Sequence, residues 1–245
     1  MSAAQEFRTA VVTGGGTGIG RAVATLLAAD GYRVAVLGRR REVLDEVAGE
    51  IGGVAVTADL ALPSDVARAA EEVAEALGTV DALVLNAGSA RRGPQETLEQ
   101  LAAHWTATMA QNLLPAVLLE HALRDHLRRP GGRVVAVSSS SARVVGGEVA
   151  YAASKAALNR WVRTMAAELG REGITVNAVA PGFVPDTGLY DGTLDPDWTE
   201  RAARSIAVRR VGTPADIADS VRWLVSPGAG FVNGTVVEVD GGRRV

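Results

Sequence analysis

Short β-branched runs alternate with amphipathic stretches along this chain. "TAVVT" leads into a glycine cluster and then into "RAVATLLAAD", where Val23, Leu26 and Leu27 share one face at helical spacing. "RVAVLG" predicts a second strand, followed by a charged helix from Arg40 to about Ile51. "GVAVT" comes next, then "PSDVARAAEEVAEALG", with proline and serine at its start and Gly78 at its end as helix signals. Two further buried strands, "DALVLNAG" and "GRVVAVSS", bracket a long helical region around Leu98 to Leu127. Leu158, Trp161, Val162, Met165 and Leu169 recur at helical spacing through residues 151 to 170, and "GITVNAVAPG" and "TVVEVDGG" supply the last strands.

Strands that are apolar throughout, each followed by a helix, pair in parallel and are buried on both faces. The expected fold is α/β, a doubly wound parallel sheet with helices on both faces, in one domain covering residues 1–245. Only Phe183 to about Val211 breaks the rhythm. It is rich in Asp, Gly and Pro, and reads as a substrate lid at about 183–211.

Composition narrows the function. A hydrophobic content of 47% with 28 glycines suits a globular α/β protein. A net charge of −3 argues against a nucleic-acid or anionic-membrane surface. The absence of cysteine excludes disulfides, a thiol nucleophile and Cys-based zinc sites. The N-terminus lacks the pattern of a signal peptide and no apolar run approaches a membrane span, so the expected location is cytoplasmic.

"TGGGTGIG" (Thr13 to Gly20) sits between the first strand and the first helix. Glycines there permit a tight turn and let backbone N–H groups and a helix N-terminus approach a pyrophosphate. The spacing is TGxxxGxG, on Gly14, Gly18 and Gly20. At the end of the second strand an acid would hold the ribose hydroxyls of NAD, whereas arginine pairs with the 2′-phosphate of NADP. The chain reads "VLGRRR", with no acid and with Arg39, Arg40 and Arg41, so NADPH is expected over NADH.

Of the 25 basic residues one alone is a lysine, Lys155, four positions after Tyr151 in "YAASK". Residues at i and i+4 on a helix share a face. A free tyrosine, with a pKa of about 10, is a poor acid or base at neutral pH. A cation about 4 Å away, at an effective dielectric of about 20, is worth roughly 4 kcal/mol, nearly three pKa units. That brings the phenol close to 7, where general acid–base catalysis works best. Arginine would supply the charge but not a compact head with rotatable donors.

"TGGGTGIG", "LNAG" (Leu85 to Gly88), "QNLLPA" around Asn112, "VVAVSSSSA", "YAASKAALNR" and "VNAVAPGFV" together resemble the short-chain dehydrogenase/reductase family in its single-domain form, from about residue 8 to 242. The resemblance implies a catalytic tetrad. Tyr151 exchanges a proton with the carbonyl or alcohol, Lys155 lowers its pKa and binds the nicotinamide ribose, a serine holds the substrate oxygen, and Asn112 anchors a relay water. Alignment on "GRVVAVSS" makes the serine Ser139, which is preferred; counting thirteen residues back from Tyr151 makes it Ser138. The resemblance further implies cofactor contacts by Gly14, Thr17, Gly18, Ile19, Gly20, Arg39 and Arg40; by Asp59 and Leu60 beside the adenine; by Asn86, Ala87 and Gly88 beneath the ribose; and by Pro181, Gly182, Val184 and Thr187 near the nicotinamide, with Tyr151 and Lys155.

Three positions depart from the family pattern. Thr17 stands where NADPH-using members often carry a basic residue. Thr187 is displaced from its usual place by Pro185 and Asp186, and "LNAG" replaces the usual "NNAG". No metal site is expected. His104, His121 and His126 lack metal spacing and read as structural or surface residues, while Asp186, Asp191, Asp195 and Asp197 read as solvated turns.

The leading expectation is an NADPH-dependent reductase of a ketone or aldehyde, running reversibly as an alcohol dehydrogenase, with a small-molecule substrate. The alternatives are a 3-oxoacyl-[acyl-carrier-protein]-type reductase, an NAD-dependent alcohol dehydrogenase and, in another class, a non-catalytic NADP-sensing regulator. Carrier-bound reductases tend to carry a basic residue before "GITVN", where this chain has Glu172, with "RRPGGR" (Arg128 to Arg133) nearby. The family resemblance implies a homotetramer, or a dimer, built on the helices around Leu98–Leu127 and Tyr151–Gly170.

Overall fold

The computed structural model describes residues 8–90, 95–145, 147–185, 187 and 196–243. β1 (Arg8–Thr13), β2 (Tyr32–Gly38), β3 (Val54–Thr57), β4 (Ala82–Leu85), β5 (Arg133–Val137), β6 (Thr175–Pro181) and β7 (Val236–Val239) form one sheet. Its order is β3-β2-β1-β4-β5-β6-β7, and every pairing is parallel. The helices between them are α1 (Gly18–Ala29), α2 (Arg41–Ile51), α3 (Pro63–Leu77), α4 (Leu98–Asn112), α5 (Leu114–Leu123), α6 (Val149–Leu169), α7 (Pro196–Ser205) and α8 (Pro214–Val225).

Alternation along the strands divides the core in two. Val11, Ala35, Leu37, Leu83 and Val134 point to one face and pack with α3, α5 and α6. Ala10, Val12, Val34, Val36 and Val135 point to the other and pack with α1, α2 and α8. Strand interiors with both faces covered have no polar position to spare, which is why they read as unbroken apolar runs. Strand order reverses between β1 and β4. Connections on either side of that point run to opposite faces and leave a crevice at the carboxyl ends of the strands.

The expected continuous helical region from Leu98 to Leu127 is in fact two helices and a 3-10 turn. Pro115, in the first turn of α5, has no N–H to donate and favours a helix start. α4 therefore ends at Asn112. Within the stretch read as a lid, α7 is a helix that the pattern had not signalled, because it is short and its residues are mostly polar. Asp186, Asp191 and Asp195 lie outside the described residues, and Asp197 is exposed on α7. Trp161 is partly buried and packs against the core. Among the described residues no helix is long and apolar enough to cross a membrane.

Candidate active site

The glycine loop leaves β1 and enters α1 at the switch point. Gly18 has φ 53°, and a Cβ there would lie 2.7 Å from the Cα of Thr187. A Cβ on Gly20 would lie 2.1 Å from the Gly14 carbonyl oxygen. The turn therefore closes only with glycine. Thr17, the N-cap of α1, is extended and makes no side-chain capping bond. The first-turn N–H groups of α1 have no hydroxyl or carboxylate cap, as a pyrophosphate cradle requires.

Thr13, which the sequence reading gave no role, fastens this loop to the next strand. Its Oγ1 accepts the N–H groups of Asn86 (2.8 Å) and Ala87 (2.9 Å). The Asn86 Nδ2 donates back to the Thr13 carbonyl at 2.9 Å. The "LNAG" segment is thereby sewn to the glycine loop through Asn86; Leu85 is core.

Of the arginine run, Arg41 is committed to Asp45 on its own helix at 2.9 Å. Arg40 turns the other way, with its Nη2 3.5 Å from the Thr17 Oγ1. A guanidinium thus stands beside the position where a basic side chain was missing from the loop. Arg39 is exposed and makes no ion pair among the described residues. The Asp59 Oδ1 accepts from Ala61 at 3.1 Å, and its backbone N–H donates to Asp65 at 2.8 Å, so its carboxylate shapes the turn after β3.

Two residues expected to contact the cofactor turn their side chains into the core. Leu60 and Val184 are 4% and 3% exposed and belong to the two core faces. Pro181 is buried at the end of β6, and the Gly182 N–H donates to the Val239 carbonyl at 3.0 Å. Thr187, despite its displacement, lies against the glycine loop at Gly18 and donates to the Val184 carbonyl at 3.2 Å.

Three elements bring the tetrad together. α4 delivers Asn112, whose Nδ2 donates to the carbonyls of Ser89 (2.8 Å) and Thr108 (3.0 Å) and whose Oδ1 accepts the Ser89 N–H (3.0 Å). The side chain is thus spent on protein. The helix break also sends the Ala116 N–H to Leu113 rather than to Asn112. It is the Asn112 backbone carbonyl, not the amide, that the break makes available to a water.

The end of β5 presents both candidate serines. Ser138 is buried, and its Oγ donates to the Lys155 carbonyl at 3.4 Å. The Ser139 Oγ accepts from the Ser141 N–H at 3.1 Å, which leaves its proton free to donate outward.

α6 carries Tyr151 and Lys155 one turn apart. The Lys155 Nζ donates to the Val137 carbonyl at 2.9 Å and lies 5.7 Å from the centroid of the Tyr151 ring. A Cβ on Gly88 would sit 2.8 Å from the Asn112 Oδ1 and 3.3 Å from the Lys155 Nζ, so three segments converge at that glycine. Lys155 is 3% exposed, and burial pushes its pKa down from 10.5 to about 8. At neutral pH it remains a cation beside the phenol. His121 and His126 are exposed, whereas His104 is buried against Glu148 at 3.1 Å. That pair was not foreseen.

Comparison with known proteins agrees with this geometry. Residues 14–244 match the family described as enoyl-(acyl carrier protein) reductase. Short-chain reductase protein NovJ of Streptomyces niveus is 38% identical, covering 98% of this chain and 95% of its own length. The 3-oxoacyl-[acyl-carrier-protein] reductase MabA of Mycobacterium tuberculosis is 36% identical over 96% of this chain and 92% of its own. A short-chain dehydrogenase from Burkholderia cenocepacia, solved in complex with NADP, superposes with a TM-score of 0.87 at 37% identity, covering 97% of this chain and 98% of its own. The chain belongs to the short-chain dehydrogenase/reductase family.

Proposed function

We propose that this protein is an NADPH-dependent reductase of a small ketone or aldehyde, working in a single domain. The observation that carries the reading is the buried ammonium of Lys155, fixed by Val137 beside the Tyr151 ring. The glycine loop, Asn86, Gly88 and the open N-terminus of α1 fit a dinucleotide, and Arg40 beside Thr17, with Arg39, fits its 2′-phosphate. The NADP held by the Burkholderia relative supports that assignment. NADPH, when bound, supplies the hydride.

The chain's own residues do the rest. Ser139 donates to the carbonyl oxygen and polarises it. Tyr151 gives its proton to that oxygen as the alcohol forms. Lys155 stabilises the phenolate left behind, and a water on the Asn112 carbonyl returns a proton to it from solvent. In the reverse direction Tyr151 takes the proton of an alcohol. The sequence of residues 183–211 sets which substrate is accepted.

A free small molecule is favoured over a carrier-bound chain. Arg129, the basic group nearest the presumed docking face, is paired with Glu172, and Arg128 with Asp81. A paired guanidinium has little field left to steer an acidic carrier protein. MabA, which acts on carrier-bound substrate, keeps the second reading open to test. The assembly proposed is a homotetramer packed through α4, α5 and α6, which light scattering would distinguish from a dimer or monomer.

The deciding experiment is fluorescence titration with NADPH and NADH, followed by turnover on small ketones, aldehydes and a carrier-bound 3-oxoacyl chain. Tight NADPH binding with turnover of free ketones is the expected result. Preference for NADH with alcohol oxidation would replace it by a dehydrogenase, binding without turnover by a cofactor sensor, and binding of neither would sink the reading.

A further inference from the structure

α6 begins on an unusual cap. Short side chains such as Ser, Thr, Asp and Asn are the preferred N-caps because they reach back to the first-turn N–H groups. Here the cap is Glu148, whose carboxylate accepts the N–H groups of Ala150, at 2.9 Å, and of Tyr151 itself. The extra methylene lets the same carboxylate reach the Nε2 of His104 at 3.1 Å, with the two side chains 6% and 12% exposed. Burial pushes the Glu148 carboxyl up, but the hydrogen bonds from His104, Tyr151 and Ala150 outweigh it and hold the group below its usual range. An ionised carboxylate only accepts, so Nε2 is the donor.

His104 is not a solitary buried polar group. The buried residues of α4 are His104, Thr108 and Asn112, one helical turn apart each. The face that an amphipathic helix would make apolar is here a polar seam. At its lower end Asn112 grips Ser89; at its upper end His104 grips the cap of the catalytic helix. Burying an imidazole and a carboxylate is costly unless they are paired, and an Asp at 148 would cap the helix without His104.

We propose that His104 is a positioning residue: through Glu148 it fixes the first turn of α6, and with it the Tyr151 hydroxyl, relative to Asn112 on its own helix. This rests on the reading of Tyr151 as proton donor. His104 is assigned no contact with substrate or cofactor. It acts by holding one N–H acceptor in place across 44 residues of chain.

The test compares His104→Leu, His104→Gln and Glu148→Asp in the full-length protein, with folding checked by circular dichroism. Gln keeps a donor near the Nε2 position, while Asp keeps the cap but falls short of His104. For Leu and Asp, kcat for carbonyl reduction is expected to fall by between about tenfold and a hundredfold, the scale of an ångström-sized misplacement. KM for NADPH should stay within about twofold of wild type on the same argument. Amide exchange at Ala150 and Tyr151 should quicken in both. Gln should restore kcat and protection, and the Leu–Asp double variant should be no worse than either single variant.

If Leu lowers only the melting temperature, leaving kcat and exchange unchanged in an active wild-type background, the proposal is overturned while the reading of Tyr151 stands. Additive losses in the double variant overturn it equally. A wild-type protein that turns over no carbonyl overturns the reading of Tyr151 and this proposal with it.

Discussion

The Lys155 Nζ donates to the backbone carbonyl of Val137 at 2.9 Å, so α6 is pinned by its ammonium to the last residue of β5. Two residues further along that strand end stands Ser139. One hydrogen bond therefore sets the spacing between the ammonium of Lys155, Tyr151 on the same helix face and Ser139, the three groups proposed to act on the substrate oxygen. An exposed lysine would serve the charge but not the spacing. Here both come at the cost of burying the group almost completely.

That cost makes a prediction about stability. The folded-state pKa of Lys155 lies at about 8, below its ordinary 10.5. Below pH 8 folded and unfolded chains both carry the proton, and the fold bears the full penalty of about 3 kcal/mol. Between pH 8 and 10.5 the unfolded chain binds more protons, so stability contributed by this site rises with pH through that window. Lys155→Met should be more stable than wild type at pH 7 by about 1–2 kcal/mol, after loss of the bond to Val137. The advantage should fade towards pH 10.5. Urea denaturation at pH 7 and 10 measures it, and the variant should be inactive. Lys155→Arg should also lose most activity, because the larger head has no room at a 3%-exposed site. Reduction by wild type should decline as pH rises through about 8, where the ammonium loses its charge.

Tyr151→Phe removes one oxygen from a half-buried ring and leaves the Glu148 cap intact. Turnover should fall by about a hundred- to ten-thousandfold, the usual worth of a positioned general acid. Binding of NADPH should change little, since the glycine loop and Lys155 are untouched. Stopped-flow turnover beside a fluorescence titration separates the two, and retained turnover would remove Tyr151 as proton donor.

The sheet was legible because its inner strands are buried on both faces, so β1, β2 and β4 to β6 appear as plain apolar runs. α7 was not, because ten mostly polar residues offer too few apolar positions to reveal a helical period. α8 was passed over, though Thr213 and Asp216 form a capping box, with Pro214 in the first turn, that marks its start. Pro115 could have signalled the break that ends α4 at Asn112. The motif positions were found because they are local in sequence. Thr13 and the His104–Glu148 pair were missed because their partners lie 73 and 44 residues away, where no periodicity reaches.

Arg40 and Arg39 should account for discrimination between the two nicotinamide cofactors. A charge-assisted bond to the 2′-phosphate is worth about 1.5–3 kcal/mol, or roughly tenfold to a hundredfold in Kd. Arg40→Ala should weaken NADPH by about that factor and leave NADH unchanged, and adding Arg39→Ala should deepen the loss. An equal loss for both cofactors would mean that Arg40 supports the loop through Thr17 without reading the phosphate.

Thr13 offers the sharpest test of how the site is held. Its hydroxyl is 1% exposed as a residue and accepts two backbone N–H groups, from Asn86 and Ala87, while donating to the Val84 carbonyl at 3.4 Å. Thr13→Val keeps the shape and removes every one of these bonds. Two buried N–H groups would lose their acceptor at about 1–3 kcal/mol each, so a destabilisation of about 2–4 kcal/mol is expected after relaxation. Asn86 would also lose its anchor against the glycine loop, so NADPH binding should weaken in molecules that remain folded. Thr13→Ser, which keeps the hydroxyl and gives up a methyl group, should recover most of both. Urea denaturation and cofactor titration on the three proteins decide it. A Val variant as stable and as tight as wild type would mean that β1 and β4 hold the loop through their ladder alone.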